Sequence, residues 1–350
     1  MWPIYGYDWA LSWLQKLFSK DENINNRGPS HAYLFSGPRH VGKTTLAISF
    51  AQALLCTGDG GGNDNRYSAP PCGQCRSCRL FCNSHHPDFH WLQPTDKNGA
   101  VDREDGILRV DQAAQLITDA PLRPLEGHYK VFLIQDIHSA NDSFANKLLK
   151  TLEEPPPHVI LCLTAVDRAA VLPTLVSRCQ QLELRPIGHE SIAQALMDHW
   201  QVDEKRAKLL ARLANGRLGW AVQQLLDTGS WDKRNERLEM LHSLAAANRV
   251  ERLRFSEKLS ANRDNQQLFG MLQLWMTWWR DVLLAQAGCL HACCNIDQVD
   301  TIQNYAQAIP AQRVQSYLQT LQQVEEYLHH TVNTRLALDV LVLKMPETGS

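Results

Sequence analysis

Apolar residues come in short unbroken runs through the first half of the chain and at helical spacing through the second. His31–Ser36, Tyr129–Gln135 and Val159–Thr164 are such runs, each bounded by polar or turn residues, which predicts strands buried on both faces. Phe89–Leu92, after the turn signal His86-Pro87-Asp88, and Gln180–Leu184 supply two more. Between the runs, Leu46, Ala47, Phe50, Ala51 and Leu54 fall on one helical face, and so do Val110, Ala113, Ala114, Ile117 and Ala120. A further helix over Ser143–Leu152 is halted by Pro155-Pro156-Pro157, and a leading one is predicted from Trp9, Leu11, Trp13, Leu14 and Phe18. Strands alternating with helices predict an α/β fold, a mainly parallel sheet with helices on both faces and its ligand at the carboxyl ends of the strands.

From Arg185-Pro186 onward only helical periodicity remains, and Gly229-Ser230 is the one linker-like pair. The expected division is a nucleotide-type α/β domain over 1–185, a small helical lid over 186–230 and an all-α domain over 231–350. At 350 residues the chain is too long for one ordinary domain. Its net charge of −2 gives no global attraction to nucleic acid or an anionic membrane, so any such contact must be local. Lys147 and Lys150 on the Ser143–Leu152 helix are a weak signal of that kind. No apolar run is long enough to span a bilayer, and Met1–Asp8 lacks the pattern of a secretory signal, so a cytoplasmic location is expected.

Chemistry enters first at Gly37-Pro38-Arg39-His40-Val41-Gly42-Lys43-Thr44-Thr45, a glycine-bounded loop between a predicted strand and a predicted helix. Glycines let successive N–H groups turn toward one phosphate, Lys43 adds a cation near the outer phosphates, and Thr44 offers Mg²⁺ a hydroxyl. ATP or ADP, with Mg²⁺, is the ligand class. Hydrolysis also needs an Asp that holds the metal and an acid that activates water at the tip of a neighbouring strand. Here that tip reads Gln135-Asp136: an amide stands where the metal carboxylate belongs, followed by an acid one methylene shorter than the usual Glu. Such a pocket is expected to bind nucleotide and to be poorly equipped to hydrolyse it.

Ten cysteines in a chain of this kind suggest metal ligands and free thiols rather than a disulfide framework. Cys72, Cys75 and Cys78 follow one another at ligand spacing, and Cys56 returns across the Gly-, Asn- and Asp-rich insertion 58–71 as the best fourth ligand, ahead of Cys82, His85 or His86. Four thiolates leave zinc no open position, so the expected role is structural. Cys289, His291, Cys293 and Cys294 are crowded without ligand spacing, and buried thiols are the better reading there. Arg178, in Ser177-Arg178-Cys179 before the last predicted strand, is either an ordinary surface arginine or a finger for a neighbour's nucleotide site.

Together, His31–Pro38, the inserted cysteines, His86-Pro87-Asp88, Asn146–Pro156, Ser177-Arg178-Cys179, Trp278–Leu284 and Asn333–Leu338 resemble the AAA+ clamp-loader family of bacterial replicative DNA polymerases, over essentially the whole chain. The resemblance implies an AAA+ domain carrying a structural zinc module on Cys56, Cys72, Cys75 and Cys78, then a lid, then an oligomerisation collar. It implies Thr164 as a sensor of the terminal phosphate and Arg178 as an arginine finger offered in trans. Its implied partners are motor (gamma/tau-like) and delta subunits in a hetero-oligomeric ring, with the sliding clamp and primer-template DNA reached through the complex. Motor members carry Asp-Glu where this chain has Gln135-Asp136, and a lid arginine where it has Gly219, with Arg217 two residues early. Both departures point to a stator-like subunit with little or no ATPase of its own. The alternatives are a motor ATPase in which Asp136 compensates for Gln135 and, more weakly, a small-molecule P-loop kinase.

Overall fold

The computed structural model describes residues 4–17, 28–58, 71–103, 106–261, 265–329 and 333–347. Residues 59–70 of the expected insertion 58–71, and Phe18 at the end of the leading helix, lie outside the described residues. The chain forms two compact units, Met1–Ala195 with Gly216–Trp220, and Leu196–Asn215 with Ala221–Ser350.

In the first unit, strands β1 (Ala32–Ser36), β2 (Phe89–Leu92), β3 (Lys130–Ile134), β4 (Val159–Ala165) and β5 (Gln180–Glu183) form a parallel sheet in the order β2-β3-β4-β1-β5. The three inner strands are buried at every position, which is why their sequences are apolar except at Ser36, Lys130 and Thr164. The edge strand β5 alternates, burying only Leu182. Helices α1 (Asp8–Leu17), α2 (Lys43–Leu55), α3 (Arg76–Cys82), α4 (Val110–Asp119), α5 (Asp142–Glu153) and α6 (Pro173–Val176) connect and cover the strands. One hydrophobic cluster, including Tyr33, Phe35, Phe50, Leu54 and Cys162, fills one face of the sheet, and a second, including Phe132, Phe144, Leu148 and Leu161, fills the other. Asn141 caps α5 by accepting the Phe144 N–H at 2.8 Å, and the three prolines stop the helix at Glu153 as expected.

The His-Pro-Asp signal proves to be a fastening. Asp88 is fully buried, and its carboxylate accepts the N–H groups of Leu125 at 2.7 Å, Glu126 at 2.8 Å and Gly127 at 3.2 Å, tying down the loop that feeds β3.

After α7 (His189–Trp200) and α8 (Glu204–Ala214), a short α9 (Leu218–Leu226) leads to α10 (Ser230–Ala246), α11 (Arg249–Ala261), α12 (Asn265–Gln286), α13 (Val299–Ala308), α14 (Ala311–His329) and α15 (Thr334–Lys344). The last six are the helical region foreseen from periodicity, and they close on Trp275, Trp278, Trp279, Tyr317 and Leu341. Arg252 is buried there because four carbonyls surround it: Leu244 and Ala245 from the end of α10, and Val342 and Met345 from the end of α15. One guanidinium thus supplies the missing donors at two helix C-termini.

Candidate functional site

Strand order brings the carboxyl ends of β3, β4 and β1 together, and the phosphate loop leaves from β1, which lies between β4 and β5. The Gly37 N–H reaches Ala165 O at 3.2 Å, and Leu184 N–H reaches Ser36 O at 2.7 Å, so both neighbouring strands fix the loop's root. Gly37 has φ of +143°, and a Cβ there would lie 2.1 Å from Leu184 O; only glycine passes. Gly42 begins α2, whose N-terminus therefore faces the loop. Lys43 is buried and donates to the carbonyls of Gly37 at 2.8 Å and Pro38 at 2.7 Å, folded over the loop it belongs to. Burial pulls its pKa down to about 8, partly opposed by the nearby Asp136 carboxylate.

At the tip of β3, Gln135 is buried and both its amide oxygen and its amide nitrogen are engaged. Its Oε1 accepts from Trp91 Nε1 at 3.2 Å and Gln93 Nε2 at 3.1 Å, and its Nε2 donates to Asp136 Oδ2 at 3.3 Å. The amide suits this position because it can accept and donate at once, which a carboxylate cannot. Asp136 has a left-handed backbone, φ 53°, and its N–H donates to Thr164 Oγ1 at 2.9 Å. Lys43, Gln135, Asp136 and Thr164 are thus gathered at one end of the sheet.

Arg217 stands before α9 rather than on a helical face, its guanidinium 5.9 Å from the centre of the Trp220 ring. The Gly219 N–H donates to the phosphate-loop carbonyl of His40 at 2.9 Å, and a Cβ at Gly219 would lie 2.7 Å from that oxygen. Backbone packing therefore occupies the place where a lid arginine would be attached. Arg178 lies on the surface, donating from Nη2 to Glu153 Oε1 at 2.8 Å and from Nη1 to Thr174 O at 2.9 Å.

The four sulfurs of Cys56, Cys72, Cys75 and Cys78 all lie within 4.8 Å of one another. Cys56–Cys72, Cys72–Cys78 and Cys56–Cys75 are separated by 3.6, 3.9 and 4.0 Å. Thiolates about 2.3 Å from one zinc ion in a tetrahedron would be about 3.8 Å apart, so the set fits. Three backbone N–H groups point at these sulfurs: Cys72 at Cys56, Cys75 at Cys72 and Cys78 at Cys75, at 3.3 to 3.4 Å. Burial works to raise the Cys75 thiol, but the Cys78 N–H and hydrogen bonds from Thr57 outweigh it and bring it down to about 6. Cys56 and Cys78 are pushed up, chiefly by burial. The rival ligands go elsewhere. Cys82 is exposed, and His86 bonds the Ser77 hydroxyl at 2.8 Å, which in turn donates to Leu55 O beside Cys56.

Among the described residues no helix is long and apolar enough to cross a membrane. The family described as "DNA polymerase III, delta subunit" matches residues 14–188, and the one described as "DNA polymerase III, delta subunit, C terminal" matches 228–346. DNA polymerase III subunit delta' of Bacillus subtilis is 27% identical over 336 residues, covering 91% of each chain. Subunit delta' of Pseudomonas aeruginosa is 34% identical over 170 residues, 48% of this chain and 47% of that one. Subunit tau of Bacillus subtilis is 27% identical over 346 residues, 91% of this chain but only 58% of that longer protein. Against tau of Escherichia coli the matched part is 27% of the relative's length. With both halves matched and delta' aligned almost end to end, the chain belongs to the delta' family of DNA polymerase III clamp-loader subunits.

Proposed function

We propose that this chain is a stator-like clamp-loader subunit: it grips a nucleotide without turning it over and offers Arg178 to the ATP site of an adjacent motor subunit. In this reading residues 1–185 are the AAA+ domain, 186–230 its lid and 231–350 the collar. The collar joins motor and delta subunits in a ring that loads the sliding clamp onto primer-template DNA in the cytoplasm. Leu336, Val340 and Leu343, exposed at i, i+4 and i+7 on α15, suit such a joining face. Zinc on Cys56, Cys72, Cys75 and Cys78 would be structural, with every ligand from the protein and no open position for chemistry.

One observation carries the reading: the residue at the metal-holding position, Gln135, is neutral and its amide is occupied by Trp91, Gln93 and Asp136. The loop that would bind phosphates is complete, while a group to fix Mg²⁺ for the reaction is missing. A second reading, a motor ATPase, is favoured by Asp136, which lies near enough to Lys43 to favour its charged form. Purified chain assayed with Mg²⁺-ATP separates the two. The stator reading expects nucleotide binding that Lys43→Ala abolishes, without steady turnover. Turnover that disappears in Lys43→Ala would establish the motor instead.

A further inference from the structure

Arg178 does not hang free. Its two terminal nitrogens are held by different elements, Nη2 by the Glu153 carboxylate at the end of α5 and Nη1 by the Thr174 carbonyl in α6. Two anchors on two nitrogens fix both the position and the plane of a guanidinium, since its five donors lie in a rigid fork. Glu153 is itself well placed to do this. It is the last residue of α5, and the prolines that follow prevent the helix from carrying it further.

The pair is open to solvent, with the Arg178 side chain 35% exposed and that of Glu153 51%. An ion pair of that exposure adds little to stability. What it does restrict is the set of rotamers available to a long side chain. A group that acts by meeting charge in a transition state gains most when it is positioned beforehand. Glu153 and Thr174 O use one N–H on each terminal nitrogen, leaving Nε–H and the two outward N–H groups for phosphate oxygens.

We infer that Glu153 is a positioning residue for Arg178, holding the guanidinium at the surface in the orientation that a neighbour's nucleotide requires. The inference rests on the reading of Arg178 as a finger acting in trans. The experiment uses the assembled clamp-loader complex, measuring its kcat and KM for ATP with this subunit as wild type, Arg178→Ala, Glu153→Ala or Glu153→Gln, and the Tm of each free subunit. Arg178→Ala is expected to lower kcat by about a hundredfold or more. Glu153→Ala is expected to lower it by about three- to tenfold with KM for ATP and Tm unchanged. Glu153→Gln, which keeps an acceptor at Oε1, should recover at least half of that loss. If Arg178→Ala is damaging and Glu153→Ala is silent, positioning by Glu153 is overturned and the finger stands. A rise in kcat in Glu153→Ala would mean that the carboxylate sequesters the arginine, and also overturns it. If Arg178→Ala leaves the complex unaffected, the finger itself is lost, and the role of Glu153 goes with it.

Discussion

Cysteines crowd two stretches of this chain, 56–78 in the first unit and 289–294 in the second, and their sulfurs are disposed in opposite ways. In the first, backbone N–H groups of Cys72, Cys75 and Cys78 point at sulfur, and the four sulfurs converge. In the second, Cys289 and Cys293 donate from sulfur to the carbonyls of Ala287 and Asp281, each at 3.6 Å, while Cys294 Sγ accepts from Arg280 Nη1 at 3.6 Å. Burial, and then the Asp281 carboxylate, push Cys293 up to about 11, and burial raises Cys294 as well. N–H groups aimed at sulfur favour a thiolate; sulfur aimed at a carbonyl keeps its proton. The second stretch is held together by Asp281 instead. Fully buried, it accepts the N–H groups of Cys294 at 3.0 Å and Asn295 at 2.7 Å, and the Asn295 amide at 2.8 Å. Arg234 continues the fastening, bonding Asn295 Oδ1 at 2.7 Å and both Asp297 oxygens at 2.7 and 2.9 Å.

The sharpest way to break this contrast is to remove one sulfur on each side. Cys75→Ser is expected to lower zinc from about one ion per chain to near zero by elemental analysis. It should also lower Tm by roughly 10 °C, since the binding energy of a structural metal is folding energy. Cys294→Ser should leave the zinc content where it was. Zinc retained in the first variant, or lost in the second, would reverse the assignment of the two stretches. Next in size is Asp281→Ala. It strips the acceptor from buried N–H groups and is expected to cost about 3 kcal/mol in urea unfolding, with Asp281→Asn recovering part. A loss under about 1 kcal/mol would show that the loop is held by something other than this carboxylate.

The sequence disclosed the convergent stretch and hid the fastened one, for a physical reason. Candidate-ligand spacing is visible in the cysteines themselves, as at Cys72, Cys75 and Cys78, and strands buried on both faces must be mostly apolar, as β1, β3 and β4 are. Asp88 and Asp281 instead serve mainly backbone N–H groups, which every residue type but proline carries, so most of their partners leave no mark in the sequence. His86-Pro87-Asp88 stood out as a turn signal, but nothing in it pointed to the loop at Leu125, far along the chain. Arg252 is hidden in the same way, its hydrogen bonds going to four backbone carbonyls, with the Glu347 carboxylate 3.8 Å from Nη1. At the candidate site, the neutral Gln135 was legible as a letter. That Trp91 and Gln93 occupy its oxygen follows only from the pairing of β2 with β3. The encounter of Gly219 with His40 O could not be read from either glycine or loop alone.

Acid separates the two units in a finer way. In the first, protons would compete with the proposed zinc for the thiolates, so metal release should accompany loss of stability there as pH falls. In the second, His242 is the group to watch. Its Nδ1 lies 3.1 Å from the Tyr305 hydroxyl, its ring packs edge-on to Trp278, and its Nε2 is buried without a partner. Burial lowers its pKa below the usual 6.5. A histidine harder to protonate in the folded chain than in the unfolded one leaves the unfolded state binding more protons. Its stabilising contribution is therefore complete above about pH 6.5 and declines as pH falls toward the lower folded-state value. Comparing unfolding free energies at pH 7.5 and 5.5, the chain should lose about 1 kcal/mol more than its His242→Gln variant, and that difference should persist when zinc is kept in excess. An equal loss in both would show that the buried His242 imidazole contributes nothing to the acid sensitivity.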